Sequence, residues 1–106
     1  MCRKAFSAQA SAYALVNPEE FSWTSGKEML TSYDSEIGAG LQFCRKCGST
    51  LSGTYNGKIH GVSLGCIDGN PDITLAMHLF VDSKAAWETL PSDDTPQYKE
   101  WPPEAI

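Results

Sequence analysis

The fold is decided by residues 43–58, which read FCRKCGSTLSGTYNGK. Cys44 and Cys47 are three positions apart, and the Gly48 that follows tolerates a positive φ, so the segment can form a tight turn holding two thiols together. Residues 50–55 are mostly small or β-branched and include few helix formers, which predicts a strand. The stretch therefore predicts a cysteine knuckle at the entrance to a β-hairpin.

The other elements follow from turn signals and alternating apolar residues. Asn56-Gly57 is a strong hairpin signal, since both residues tolerate the positive φ of a type I′ turn. Short helical turns are expected over residues 3–10 and 84–88, the second capped by Ser83, and the Pro-rich tail 91–103 is expected to be irregular. Strands are predicted over residues 11–16, 21–24, 27–33, 41–43, 50–55, 58–66 and 73–81.

Composition is that of an ordinary globular protein. The 106 residues suffice for one domain over residues 1–106, and 42% hydrophobic content argues against disorder. A net charge of −5 argues against nucleic acid as a partner, because phosphate binding needs a surplus of Lys and Arg. The sequence shows neither a membrane-spanning apolar run nor a signal peptide, so we expect a cytoplasmic protein with no membrane partner.

The cysteine pair has three interpretations: a metal knuckle, a redox pair or disulfide, and two cysteines of a plain turn. Four cysteines in a cytoplasmic chain favour metal or catalytic use over a disulfide framework. A redox C-x-x-C begins a helix, whereas this pair is predicted to precede a strand, which favours the metal. A closed zinc site needs four N or S ligands, and the further candidates are Cys2, Cys66, His60 and His78.

Three groups of residues follow one another in a distinctive order. They are Cys2-Arg3-Lys4, then Phe43-Cys44-x-x-Cys47-Gly48, then His78-Leu79-Phe80-Val81 with Ser83-Lys84 and Trp87. This ordered set resembles the glutathione-dependent formaldehyde-activating enzyme family, which also includes the centromere protein V domain. The resemblance covers nearly the whole chain.

The resemblance implies a mainly β fold, with antiparallel sheets in a β-tent, Mss4-like arrangement, one short helix near the N-terminus and an irregular tail. It implies zinc as cofactor and a small thiol such as glutathione as partner. Family activity is carbon–sulfur lyase or synthase chemistry, the condensation of glutathione with formaldehyde to S-hydroxymethylglutathione. In the family, an early C-x-C joins the later C-x-x-C in a closed zinc site, while a C-x-C-x-x-C motif holds a second, more open zinc.

The chain departs from that pattern at its start. Cys2 aligns with the last cysteine of C-x-C-x-x-C, so the early C-x-C strand has no counterpart. We expect either a naturally shortened domain or a start codon placed at an internal Met. Zinc at Cys44 and Cys47 would then need Cys2, a histidine, or the same pair from the second subunit of a homodimer.

Cys2 is also the candidate catalytic thiol, because the neighbouring Arg3 and Lys4 favour its thiolate. Arg3 and Lys4 are the candidate substrate-binding residues. The alternative for Cys2 is a frayed and inert terminus. The other candidates are expected to be structural: Cys66 as a small buried hydrophobe, His78 in hydrogen-bonded structure, His60 as an exposed residue, and Trp23, Trp87 and Trp101 as core and tail anchors.

Two functions are consistent with these features. The first is a zinc-dependent carbon–sulfur lyase or synthase acting on a glutathione-type thiol adduct. The alternative is a non-catalytic, truncated β-tent module that acts as a dimeric scaffold or binding protein without a complete zinc site. Thiol redox chemistry is a weaker third idea, because no nucleophile and resolving pair is evident.

Overall fold

The computed structural model describes residues 2–103, with side chains from Arg3 onward. The described residues form a five-stranded antiparallel sheet and one short α-helix, which confirms the predicted mainly β fold. In chain order the elements are α1 (Cys2–Phe6), β1 (Tyr13–Leu15), β2 (Leu30–Asp34), β3 (Ala39–Cys44), β4 (Thr50–Tyr55) and β5 (Lys58–Ser63). Within the sheet they lie in the order β1-β5-β4-β3-β2.

The chain divides into two compact units. One unit is Ala12–Asn70 and contains the whole sheet. The other combines the residues up to Ser11 with those from Pro71 onward, and contains α1 and the irregular tail. Helix α1 ends where Ser7 adopts a φ of 52°, a left-handed conformation that an α-helix cannot continue through.

The hairpin of β4 and β5 forms as its turn residues require. Tyr55 pairs with Lys58, and between them Asn56 and Gly57 have φ values of 51° and 81°. Two consecutive positive φ values define the type I′ turn, whose twist matches that of the flanking strands. The predicted hairpin is therefore confirmed.

An aromatic residue of β1 covers the glycine-rich centre of this hairpin. Gly53 on β4 is paired with Gly61 on β5. The ring of Tyr13 lies 3.5 Å from the position that a Cβ of Gly61 would take, and 3.7 Å from the equivalent position at Gly53. The ring thus shields a backbone pair that has no side chains of its own.

Two predicted strands are wrong, because an apolar pattern, alternating in residues 21–24 and continuous in residues 73–81, was taken as evidence of pairing. Residues 21–24 are irregular, and Phe21 instead packs its ring edge-to-face on Trp23 with centroids 5.0 Å apart. Residues 73–80 are also irregular apart from a single parallel bridge at His78, and Val81 begins the 3-10 turn Val81–Ser83. Asp72 and Phe80 each adopt a φ of 55°, which bends the backbone out of the extended conformation at either end of that segment.

Other boundaries also differ from the prediction: the helix expected over residues 3–10 is Cys2–Phe6, the strand expected over 11–16 is Tyr13–Leu15, and that expected over 41–43 is Ala39–Cys44. Met29 ends a 3-10 turn, Lys27–Met29, so β2 begins only at Leu30. Strand β5 ends at Ser63, and the next three residues form the 3-10 turn Leu64–Cys66. The helical turn expected over residues 84–88 is a single bend in which the Glu88 N–H donates to the Ala85 carbonyl. Lys84 is extended, with a ψ of 156°, so Ser83 does not cap a helix.

Candidate thiol site

The cysteine knuckle, residues 44–49, joins β3 to β4, and backbone hydrogen bonds of Cys44 close the turn. The Cys44 N–H donates to the Ser49 carbonyl at 2.9 Å, and the Gly48 N–H donates to the Cys44 carbonyl at 2.8 Å. Gly48 has a φ of 82°, which supplies the positive φ expected from its position after the second cysteine. Two backbone hydrogen bonds within the six residues from Cys44 to Ser49 make this a tight, regular turn.

Backbone pairing with β2 also fixes the start of the knuckle. Cys44 is the last residue of β3 and pairs with Leu30 at the beginning of β2. The Arg45 N–H donates to the Met29 carbonyl at 2.8 Å, which extends this pairing one residue into the turn. The first cysteine is therefore fixed by both neighbouring strands, while the turn itself projects from the end of the sheet.

The two thiols differ in exposure. Cys44 is half-buried and Cys47 is exposed, and both are free. The Cys47 Sγ lies 3.2 Å from the Ser49 Oγ. Hydrogen bonds from the Ser49 side chain, then from the Ser49 backbone, then from the Cys44 side chain lower the pKa of Cys47. Cys47 is thus the accessible thiol of the pair, and its surroundings favour the thiolate, the form that binds metals and attacks electrophiles.

Cys66 does not have the buried position that was predicted for it. It is an exposed free thiol at the end of the 3-10 turn Leu64–Cys66, and its Sγ donates to the Thr50 carbonyl at 3.4 Å. The prediction failed because it placed Cys66 within β5, where an apolar strand would have buried it. This hydrogen bond is next to the C-terminal end of the knuckle, because Thr50 directly follows Ser49.

The described residues do not by themselves fit a zinc ion. In the part of the chain that the structure describes, no three or more His, Cys, Asp or Glu side chains are grouped to hold a metal. The knuckle supplies two sulfur donors, whereas structural zinc sites use four protein ligands and catalytic sites use three. Cys44 and Cys47 therefore form half of a site.

The histidines have other surroundings. His60 lies on β5, is half-buried rather than exposed, and packs edge-to-face with Tyr55 at a centroid distance of 6.5 Å. His78 belongs to the other unit, where its backbone N–H donates to the Pro96 carbonyl at 2.8 Å and its backbone carbonyl accepts from the Tyr98 N–H at 2.9 Å. The structural role expected for its imidazole stays a prediction.

The N-terminal candidates lie in the unit that does not contain the knuckle. Arg3 and Lys4 are exposed on α1. The side chain of Cys2 lies outside the described residues, so its predicted roles as catalytic thiol and metal ligand stay predictions. The same holds for substrate binding by Arg3 and Lys4.

The tryptophans are only partly the anchors that were expected. Trp23 is half-buried against Phe21. Trp87 is 68% exposed, so it is not a core residue. Trp101 is 66% exposed but stacks edge-to-face on Phe80 at 5.1 Å, which links the tail to the segment around residue 80.

Sequence reasoning missed Ser49. Its backbone carbonyl closes the knuckle and its hydroxyl contacts the Cys47 sulfur. The available signal was a hydroxyl residue two positions after the second cysteine, where a tight turn at Gly48 returns the chain towards the thiols.

The described residues define a small, mainly β protein with a two-cysteine knuckle at the end of a five-stranded antiparallel sheet. The family model described as "Glutathione-dependent formaldehyde-activating enzyme" matches residues 1–83, and the chain therefore belongs to that family. Neither a curated protein nor a solved structure matches the chain significantly. Within residues 2–103, no helix has the length and apolar character that crossing a membrane requires.

Proposed function

We propose that the chain is a carbon–sulfur lyase or synthase of the S-hydroxymethylglutathione synthase type, acting on a glutathione-type thiol and its formaldehyde adduct. The observation that carries the proposal is the knuckle itself. The family match spans it, and the knuckle presents Cys47 as an exposed thiol whose neighbours stabilise the thiolate. A cytoplasmic setting, where thiols stay reduced, suits both the substrate and the free cysteines.

The reaction needs little rearrangement of atoms. A carbon–sulfur bond forms between the thiol sulfur and the carbonyl carbon of formaldehyde, and the thiol proton is transferred to the carbonyl oxygen. Zinc, where bound, supplies the stabilisation of a thiolate near neutral pH. Because the described residues provide two donors, the proposal requires further donors from Cys2 or from a second copy of the chain.

The exposed cations of α1 are the proposed substrate-binding residues. Glutathione carries two carboxylates, and Arg3 and Lys4 are charged, exposed and adjacent in sequence. They would bind the carboxylates in the peptide part of the substrate.

The proposed activity is tested by following S-hydroxymethylglutathione in mixtures of glutathione and formaldehyde by proton NMR exchange spectroscopy. Zinc-supplemented protein should accelerate the exchange above the uncatalysed rate, and Cys47→Ser should lose the acceleration. Cys66→Ser is the matched control, because Cys66 is also an exposed thiol but lies outside the knuckle. Exchange at the uncatalysed rate with folded, zinc-supplemented protein would rule out the proposed activity.

The second candidate is a non-catalytic module that acts as a dimeric scaffold or binding protein. It is favoured by the donor count, since the described residues group two thiols and no third ligand around the knuckle. This candidate predicts folded protein that forms no product at any zinc concentration, and the NMR measurement therefore separates the two functions.

A further inference from the structure

The tail of the chain contributes to a cleft that the thiol chemistry does not use. The cleft has a volume of about 730 Å³ and is lined by side chains of residues 80–83 and 98–103, which belong to the unit without the knuckle. Sites for small molecules have volumes of about 300–1,000 Å³. We propose that this cleft binds a small organic cation of the alkylammonium class between aromatic rings and carboxylates. The inference goes beyond the proposed function, because the family match ends at residue 83, before one of the two walls.

Backbone hydrogen bonds hold the two walls of the cleft together. The Phe80 N–H donates to the Glu100 carbonyl at 3.3 Å, and the Val81 N–H donates to the Tyr98 carbonyl at 3.1 Å. The Tyr98 N–H donates in turn to the His78 carbonyl at 2.9 Å. The walls are therefore preorganised, and little conformational entropy is lost when a ligand binds between them.

Two aromatic rings of the cleft meet nearly at a right angle. The rings of Phe80 and Trp101 have centroids 5.1 Å apart and an interplanar angle of 84°. Their exposed fractions are 37% and 66%, so both rings are accessible to a ligand. A cation is attracted to the face of an aromatic ring within about 6 Å of the ring centroid. A group in the angle between these rings can lie within that distance of both, and Tyr98 adds a third ring to the lining.

The charge of the cleft also favours a cation. Asp82 and Glu100 are exposed and line the cleft together with one basic residue, Lys99. Residues 71–103 as a whole contain six acidic and two basic side chains. Such a surface attracts cations and disfavours ligands that carry carboxylates, as glutathione does.

The lining favours an organic cation over a metal ion. Calcium and magnesium need several oxygen ligands, and in the described part of the chain no three His, Cys, Asp or Glu side chains are grouped to hold a metal. Aromatic faces instead attract quaternary ammonium groups, whose methyl groups also lose contact with water when they cover exposed rings. The cleft therefore matches an alkylammonium group both in charge and in apolar surface.

Choline and its neutral isostere test whether the cleft recognises charge. The full-length chain is titrated with choline by isothermal titration calorimetry, and separately with the alcohol in which a tert-butyl group replaces the trimethylammonium group. We expect choline to bind roughly tenfold more tightly, because it alone is attracted to the faces of two exposed rings. Equal affinity for the two compounds, or no saturable heat with choline, would overturn the proposed site.

Matched tryptophan variants test where the cation binds. Trp101→Leu removes one ring of the aromatic pair and should weaken choline binding roughly fivefold. Trp87→Leu is the control, because Trp87 is 68% exposed and belongs to the same unit but lies outside the cleft. Equal weakening by the two variants would overturn the proposed position.

A charge variant tests the same cleft without removing a ring. Asp82→Asn should weaken choline binding roughly threefold, and the loss should shrink as salt is added, because exposed charges are screened. Asp94→Asn is the control, since Asp94 is an exposed carboxylate of the same unit outside the cleft. Equal effects of the two variants would overturn the role of the carboxylate. Choline binding and S-hydroxymethylglutathione exchange are measured separately, so failure of this inference is distinct from failure of the proposed function.

Discussion

Ser49 controls the chemistry of the accessible thiol through one hydroxyl. Its side chain is the largest cause of the lowered pKa of Cys47, ahead of its own backbone and of Cys44. A lowered pKa means that the thiolate persists to lower pH, so Ser49→Ala should move the midpoint of Cys47 alkylation to higher pH. Iodoacetamide labelling across a pH series, quantified by mass spectrometry of the Cys47 peptide, measures that midpoint.

Ser49→Thr is the control for this prediction, because it keeps the hydroxyl beside the sulfur. The threonine variant should retain the low midpoint. An unchanged midpoint in Ser49→Ala would show that the backbone contacts of the knuckle, not the hydroxyl, stabilise the thiolate.

Some features of the site could be predicted from single residues of the sequence and others could not. The spacing of Cys44 and Cys47 and the position of Gly48 are local, so the knuckle was foreseeable from sequence. The exposure of Cys66 was not, because it depends on β5 ending three residues early, at Ser63. The end of a strand is set by pairing across the sheet, which a single segment does not encode.

The central strands of the sheet depend on a close approach at Gly40. A Cβ added at Gly40 of β3 would lie 2.7 Å from the Thr54 Oγ1 on β4, 2.7 Å from the Asp34 Oδ1 on β2, and against the Tyr33 carbonyl. Because backbone and two neighbouring strands would have to move, Gly40→Ala should lower the free energy of unfolding by about 1–3 kcal/mol. Urea unfolding followed by circular dichroism measures the change.

Gly65→Ala is the matched control for Gly40→Ala. Gly65 has open space around the added Cβ and a negative φ, so its replacement should leave stability within about 0.5 kcal/mol or raise it slightly. Equal losses for the two glycines would show that the close approach across β3 is not what excludes a side chain.

Among the secondary-structure elements, those set by turn chemistry and β-propensity were predicted correctly, whereas apolar pattern alone did not tell which segments pair in a sheet. The predicted strand at residues 50–55 matches β4, and its turn at Asn56-Gly57 forms, because turn chemistry and β-propensity act within a few residues. Residues 73–81 look equally apolar but make only one bridge, at His78. An apolar run shows that a segment could pair, not that a partner edge is available to it.

The whole molecule buries little apolar surface among its described residues. Among these residues Ala85 is the buried hydrophobic one, and the other buried side chains carry hydroxyl groups, whereas Ile37, Trp87 and Trp101 are each more than 60% exposed. Since hydrophobic burial is the main favourable term in folding, we expect modest stability for the isolated chain. Composition did not foretell this, because 42% hydrophobic residues is ordinary and says nothing of where they lie.

A chain of modest stability should respond strongly to a ligand that binds only its folded form. The proposed function requires zinc at Cys44 and Cys47, and a metal held by the folded knuckle stabilises the folded chain. Zinc at about one hundred times its dissociation constant should therefore add about 2.7 kcal/mol, or roughly 10 °C in melting temperature. Scanning calorimetry with zinc and with a zinc chelator measures the shift. The double variant C44S/C47S should lose the zinc response and Cys66→Ser should keep it. A zinc response that survives in the double variant would place the stabilising metal away from the knuckle.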